Sequence, residues 1–387
     1  ANAAPACLMA RPSSLIPVYY APDLDPSWDV NPGVLNVIQN YVPTKRGTYS
    51  NFANGPTQNQ ADAGTWLVAT YGTPVTGYVF KAVSGAAGAA RMFVLSIGSK
   101  RRIIELTSAG TVTDRSKGAT DYSASVSQWT MAAAGNAILA CNGVDAMQVS
   151  TSGVFSDLGG GAPTGALCLA ANLGFMLAGY KGDGTNADSV GWSALGNYAS
   201  WTPSLATQAG NTRLLDTPGP IRALVALRDS VIAYKDDSIY VGDYIGDTIN
   251  GVLWGWRLVS DKIGCSSPHG VAVLNGVHYF LHRTGVYAFD GAQVSNVGAG
   301  VQKETLRRMG DFGALYNAQT AVDETEGVIY FGFALTAATT ELFYILMLNV
   351  NTGRWGGCMS GAITWQEATA TNGHMYGFMN CSPGDMI

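Results

Sequence analysis

The chain of 387 residues is long enough for one large domain with an arm, or for two domains. Only 13% of its residues are charged, against about 25% in an ordinary soluble domain, and the net charge is −5. That excludes a broad nucleic-acid-gripping surface, which needs clustered cations, but not a neutral or acidic channel past which DNA slides.

The first stretch, residues 1–60, carries Pro5, Pro12, Pro17, Pro22, Pro26, Pro32, Pro43 and Pro56, over half of the chain's 15 prolines. Proline at that density disfavours helices and central strands. We expect an extended N-terminal arm with one strand-like run over 33–38. Such arms either wrap their own domain or reach a neighbour. Ala1–Arg11 lacks the charged and apolar regions of a signal peptide.

Residues 61–387 read as repeats of one blade-sized unit: short apolar, β-rich runs, tight turns, and an aromatic strand closed by Gly or Asp-Gly. Six such stretches fall near 62–118, 119–161, 162–215, 216–262, 263–313 and 314–361, close to the ~40–50-residue period of propeller blades. The clearest is the fifth. Gly270–Leu274, an Asn275-Gly276 turn, Val277–Leu281, a Thr284-Gly285 turn, Val286–Phe289 and an Asp290-Gly291 turn spell out strand and hairpin in alternation. The sixth closes on Asn351-Thr352-Gly353-Arg354-Trp355, a turn followed by Trp that looks like a kelch blade. One unit cannot bury its own two faces, and several stacked radially can. The expected fold is all-β, a β-propeller of about six blades with an extended arm. The tail over 362–379 offers strands to pair with 62–80 and close the ring. One short amphipathic helix is expected over 301–309.

Candidate sites are few. The six cysteines (Cys7, Cys141, Cys168, Cys265, Cys358, Cys381) form no CxxC pair and read as small buried hydrophobes made in a reducing cytoplasm. No apolar run reaches the ~18 residues of a membrane-spanning helix. His278 and His282 share one strand face but would stand ~13 Å apart, too far to share a metal. The 181–189 loop and the Asp23, Asp25, Asp29 cluster lack the spacing of a calcium loop. Gly159–Gly161 and Gly298–Gly300 lack a phosphate-cradling pattern. There is no GxSxG nucleophile motif and no acid–base signature, so no catalytic residue, cofactor or metal is assigned. Trp192, Trp201, Trp254 and Trp256 read first as core or interface aromatics, and second as platforms for sugar. Arg307 and Arg308 read as a solvated helix face.

Several stretches share one resemblance. Gly191–Asn197 with Trp201-Thr202-Pro203 is similar to a blade signature of short-tailed bacteriophage tail proteins. So are Gly219-Pro220-Ile221-Arg222-Ala223-Leu224, then Ile232–Lys235 with Ser238-Ile239-Tyr240, then 264–268, then Gly285-Val286-Tyr287-Ala288-Phe289-Asp290-Gly291, in that order. The run 40–47 resembles the same family's opening strand and turn. The chain thus resembles the tail nozzle, or tail hub, propeller proteins of podovirus-like phages, over about residues 33–310. The resemblance implies a structural virion protein made in the bacterial cytoplasm, one copy of a cyclic ring, a hexamer in that family. The ring would sit below the portal and adaptor proteins, retain packaged double-stranded DNA and pass it during ejection without reading its sequence, and the chain's short length leaves open whether it docks tail fibres. Trp192, Trp201, Gly219, Pro220, Tyr287, Asp290, Gly291 and Trp355 are then structural motif positions. This chain is shorter than the large nozzle proteins. The alternative expectation is a tail propeller that binds host glycan.

Overall fold

The computed structural model describes residues 19–21, 34–35, 41–51, 68–80, 91–106, 112–180, 186–303, 305, 312–333 and 344–359. The expectations placed on Asp23, Asp25 and Asp29, on 181–185, on Arg307 and Arg308 and on the 362–379 tail fall outside these residues.

Four short strands precede the repeats: β1 (Tyr19–Tyr20), β2 (Val34–Leu35), β3 (Tyr41–Pro43) and β4 (Tyr49–Asn51). Six antiparallel sheets follow in chain order. Blade 1 holds β5 (Thr73–Phe80), β6 (Arg91–Ile97), β7 (Ile103–Leu106) and β8 (Val112–Asp114). Blade 2 holds β9 (Thr130–Ala134), β10 (Ala137–Cys141), β11 (Gln148–Ser150) and β12 (Ser156–Asp157). Blade 3 holds β13 (Ala166–Asn172), β14 (Phe175–Tyr180), β15 (Ser189–Trp192) and β16 (Gly210–Arg213). Blade 4 holds β17 (Ala223–Leu227), β18 (Ser230–Tyr234), β19 (Ile239–Asp247) and β20 (Val252–Ser260). Blade 5 holds β21 (Val271–Leu274), β22 (Val277–His282), β23 (Gly285–Phe289) and β24 (Val294–Asn296). Blade 6 holds β25 (Gln319–Asp323), β26 (Val328–Phe333), β27 (Tyr344–Asn349) and β28 (Arg354–Met359). The protein is a six-bladed β-propeller.

The first strand of each blade lies innermost, and from blade 1 round to blade 6 it meets the first strand of the next blade. Both faces of a blade are covered, so its strands are continuous apolar runs and not alternating ones. In β26 and β27 every residue is buried. Ile329, Phe331 and Phe333 pack toward blade 5 with Leu281 and Val286, while Val328 and Tyr330 point the other way. Equivalent apolar layers fill each gap from blade 1 round to blade 6. Between blades 6 and 1 the described apolar residues instead form two smaller clusters, one on each sheet.

The Asn275-Gly276 hairpin turn takes positive φ at both residues, 53° and 70°, as a type I′ turn demands. Part of the expected arm joins the propeller. The β3–β4 hairpin adds to the outer edge of β28, so blade 6 carries six strands where the others carry four. Tyr49 Oη donates to the Trp355 carbonyl at 2.9 Å and Asn349 Nδ2 to the Pro43 carbonyl at 3.2 Å, fastening it there. Blade 6 is complete with strands taken consecutively from residues 319–359. The expected helix is described only as far as Thr305.

Candidate functional site

The motif residues serve individual blades and do not converge. Trp192 closes β15, and its Nε1 donates to the Gln208 carbonyl at 3.0 Å. Trp201 packs between blades 2 and 3 with Nε1 on the Tyr198 carbonyl at 2.7 Å. Gly219 takes φ 95° and Pro220 follows it, in the link that leads from blade 3 into β17. Tyr287 Oη meets Thr284 Oγ1 at 2.8 Å. Asp290 Oδ1 accepts the amides of Ala292 and Gln293, both at 2.8 Å, and so builds the turn that Gly291 completes with φ 101°. Blade 4 grips that turn from outside, since Arg228 donates to the Asp290 carbonyl and Arg257 to the Gly291 carbonyl. Trp355 stands buried against Phe331.

The two histidines of β22 are struts between blades. His278 meets Tyr234 Oη through Nδ1 at 2.8 Å and donates from Nε2 to the Ala226 carbonyl at 3.1 Å. His282 reaches Asp237 through Nε2 at 3.0 Å and Thr284 Oγ1 through Nδ1 at 2.7 Å. Burial pulls the His278 imidazole down to about 4, and it pulls His282 down as well, against the opposing pull of Asp237. Lys235 is fully buried, donating at 2.6 Å to the carbonyls of both Leu214 and Thr217 and lying over the Tyr240 ring. Its ammonium is thus satisfied without a contacting carboxylate, and it ties down the link between blades 3 and 4. Cys141, Cys168 and Cys265 are buried free thiols, and burial pushes Cys168 and Cys265 up to about 12, far from reactive.

One end of the central axis is crossed by hydrogen bonds between the segments that lead into the innermost strands. His269, leading into blade 5, donates from Nε2 to the Trp129 carbonyl at the start of blade 2, at 2.6 Å. Blades 2 and 5 stand opposite each other in a ring of six. Gln128 donates to Asn317 Oδ1 at 3.0 Å, and Gln319 to the Val75 carbonyl at 2.7 Å, which links blade 6 to blade 1. Arg222 lies over the Tyr316 ring. Burial pulls His269 down to about 4, so the imidazole is neutral at physiological pH. Nothing near His269 in the chain marks this role, because its partner lies 140 positions away.

The other feature lies on the rim. β19 and β20 are the longest strands, nine residues each, and their hairpin leans onto blade 3. Tyr244 contacts Phe175 and donates to Gln208 Oε1, and Trp254 meets Phe175 edge-on. Between this hairpin and β16 runs a cleft of about 600 Å³. Trp192 and Trp254 form its floor, Leu205 and Val252 line it, and Ser204, Asn211 and Thr212 supply its polar groups. Both tryptophans are only 5% exposed, so the cleft offers edges and not open ring faces. At the hairpin tip Ile249 is 92% exposed, with Ile245 at 56%, Leu205 at 52% and Val252 at 42%.

No family model matches the chain. No curated protein matches it either. Among solved structures it is similar to the extracellular domain of a hybrid two-component system protein from B. thetaiotaomicron, with TM-score 0.51 and 7% identity over 79% of this chain. This chain spans 37% of that protein's length, and the likeness is one of fold. It is also matched by the computationally designed Ika8 protein, with TM-score 0.41 and 12% identity over 81% of this chain and 98% of the other. YCF48 bound to D1 peptide matches with TM-score 0.41 and 10% identity over 74% of this chain and 82% of the other.

Among the described residues no group of three His, Cys, Asp or Glu side chains could hold a metal ion, and no helix is long and apolar enough to cross a membrane.

Proposed function

We propose that this chain is a structural subunit of a phage tail nozzle or hub ring, which retains packaged DNA and passes it during ejection. Its work is assembly and not catalysis, and it takes place on the virion. The carrying observation is the apolar rim of blade 4, where Ile249 stands 92% exposed. Such a tip, on a chain with 13% charged residues, suits a subunit that lives against other copies. The crossed axis bears on the route of DNA. With His269 bonded to the opposite blade, the propeller's own centre offers no bore, so DNA passes between copies arranged in a ring. A cyclic ring uses a heterologous contact, with two different patches on each copy. The portal and adaptor are the neighbours this reading assigns.

The second reading is a tail propeller that binds host glycan. The cleft between blades 3 and 4, neutral and lined by Ser204, Asn211 and Thr212 beside the edges of Trp192 and Trp254, favours it. Light scattering with negative-stain imaging of the purified chain separates the two. A closed ring of several copies with a central hole supports the nozzle. A monomer whose glycan-array signal disappears in Trp254→Ala replaces it with the glycan reading.

A further inference from the structure

Outer edges of propeller blades are open strand edges, and such edges recruit strands unless they are short, charged or covered. In this protein the outermost strands of blades 1, 2, 3 and 5 are β8, β12, β16 and β24, of three, two, four and three residues. Blade 6 has a six-residue outer strand, β28, and the chain covers it with its own β3–β4 hairpin. Blade 4 breaks the pattern. Its outer strand β20 runs for nine residues, and among the described residues no strand pairs with its outer side. At ~3.3 Å per residue that is about 30 Å of edge.

Three further observations concern this hairpin. Among the described residues the most exposed large apolar side chain, Ile249, sits at its end, with Ile245 and Val252 beside it. Trp254 and Trp256, both on β20, stack with ring centres 6.4 Å apart. Both indole N–H groups are buried without an acceptor, whereas Trp129, Trp192 and Trp201 each have one. The hairpin's three charged side chains have local partners. Arg257 pairs with Asp243 at 3.8 Å and donates to the Gly291 carbonyl, and Asp247 binds Asn250.

We propose that the outer edge of blade 4 is the surface on which a second copy of this chain docks, adding a strand to β20 and covering the Ile249 tip. The occupant follows from charge. A nucleic acid, an anionic membrane or a strongly charged protein finds no cluster of opposite charge on this hairpin, whose charged residues are Asp243, Asp247 and Arg257, while a second copy presents the same low-charge surface. The mode is the one the chain already uses on itself at blade 6. This inference rests on the assembly reading above and names one of the two patches a ring requires.

The test is sedimentation equilibrium of the full chain over about 1 to 100 µM, with amide hydrogen exchange at both ends of that range. Self-association is expected, with β20 amides slowing as concentration rises. The double variant Ile249→Asp, Val252→Lys should weaken association at least about tenfold, while Val154→Asp, an exposed apolar site on blade 2, leaves it unchanged. Circular dichroism melts of both variants check that the fold is kept. A wild-type chain that stays monomeric with β20 exchange independent of concentration overturns the proposal. So does association that the double variant leaves intact; if that association is a closed ring, the nozzle reading survives without this surface. Association that the double variant abolishes but that stops at two copies keeps the surface and removes the ring.

Discussion

The axis and the rim of blade 4 are built by the same repeat and end up in opposite states. At the axis the segments leading into blades 2, 5 and 6 bond across one another, through His269, Gln128 and Gln319, over separations of 140, 189 and 244 residues. At the rim no described strand pairs with the outer side of β20, the β19–β20 hairpin exposes Ile245 and Ile249, and two indoles of β20 lack acceptors. The axis is closed by bonds within one chain, with Gln128 Oε1 its one buried atom lacking a partner among the described residues, whereas the rim strand has no described neighbour on its outer side. A propeller must close on itself before it can present anything, so long-range polar contacts collect where the blades converge. The rim is free to vary from blade to blade, and function is added there.

Breaking the axis should cost most. Trp129 is fully buried, lies edge-on to Tyr122 with ring centres 4.9 Å apart, and donates to the Ser96 carbonyl at 3.1 Å. Trp129→Ala should destabilise by about 3–5 kcal/mol in urea unfolding, since it opens a cavity and strands a carbonyl. Acid should follow closely. His269 and His278 are both held near 4 by burial, below the unfolded value of 6.5. Their stability contribution is therefore whole above pH 6.5 and is lost as pH falls from there toward 4, while the unfolded chain takes up protons. Each group contributes on the order of 3 kcal/mol to that loss. Melts between pH 7.5 and 4.5 should slope accordingly, and His278→Gln should flatten the slope without altering the carboxylate-driven loss at lower pH.

The covered rim of blade 6 provides a sharper contrast with the bare rim of blade 4. Asn349 is fully buried, donates to the carbonyls of Pro43 and Glu326, and accepts the amides of Asn351 and Thr352. Asn349→Ala should cost about 2 kcal/mol. Hydrogen exchange should then rise first in 41–51, converting blade 6 toward the bare-edged state of blade 4.

The blades were legible because each carries its own local signals. The fifth could be read turn by turn, since Asn-Gly and Asp-Gly set hairpins whatever the surroundings. The sixth could be read from its close on Asn351-Thr352-Gly353-Arg354-Trp355, and its strand Val328–Phe333, buried throughout, shows the two-sided burial expected of a blade. The polar axis was not legible, because nothing near His269 in the chain signals a carbonyl 140 residues earlier. Nor was the docking of β3–β4. Its strands are short, and Pro43 marks a strand with few ladder partners, which agrees with the single residue pair joining β3 to β28. The tryptophans were legible as core and not as a set. A sequence shows an indole but not whether its N–H finds an acceptor, and that difference separates Trp192 from Trp256.

The smallest effect tests that separation directly. Trp192→Phe removes a donor and leaves the Gln208 carbonyl without it, so it should cost about 1 kcal/mol beyond any change in packing. Trp256→Phe removes an N–H that has no partner, so the same chemical change should be neutral within about 0.5 kcal/mol, or stabilising. Both residues flank the same interblade cluster, which keeps their surroundings comparable. Equal losses at the two sites, measured by urea unfolding of the dilute chain, would mean that Trp256 already has an acceptor in the isolated molecule. A loss at Trp192 alone would leave the Trp256 indole N–H as a buried donor without a partner inside the packing between blades 3 and 4.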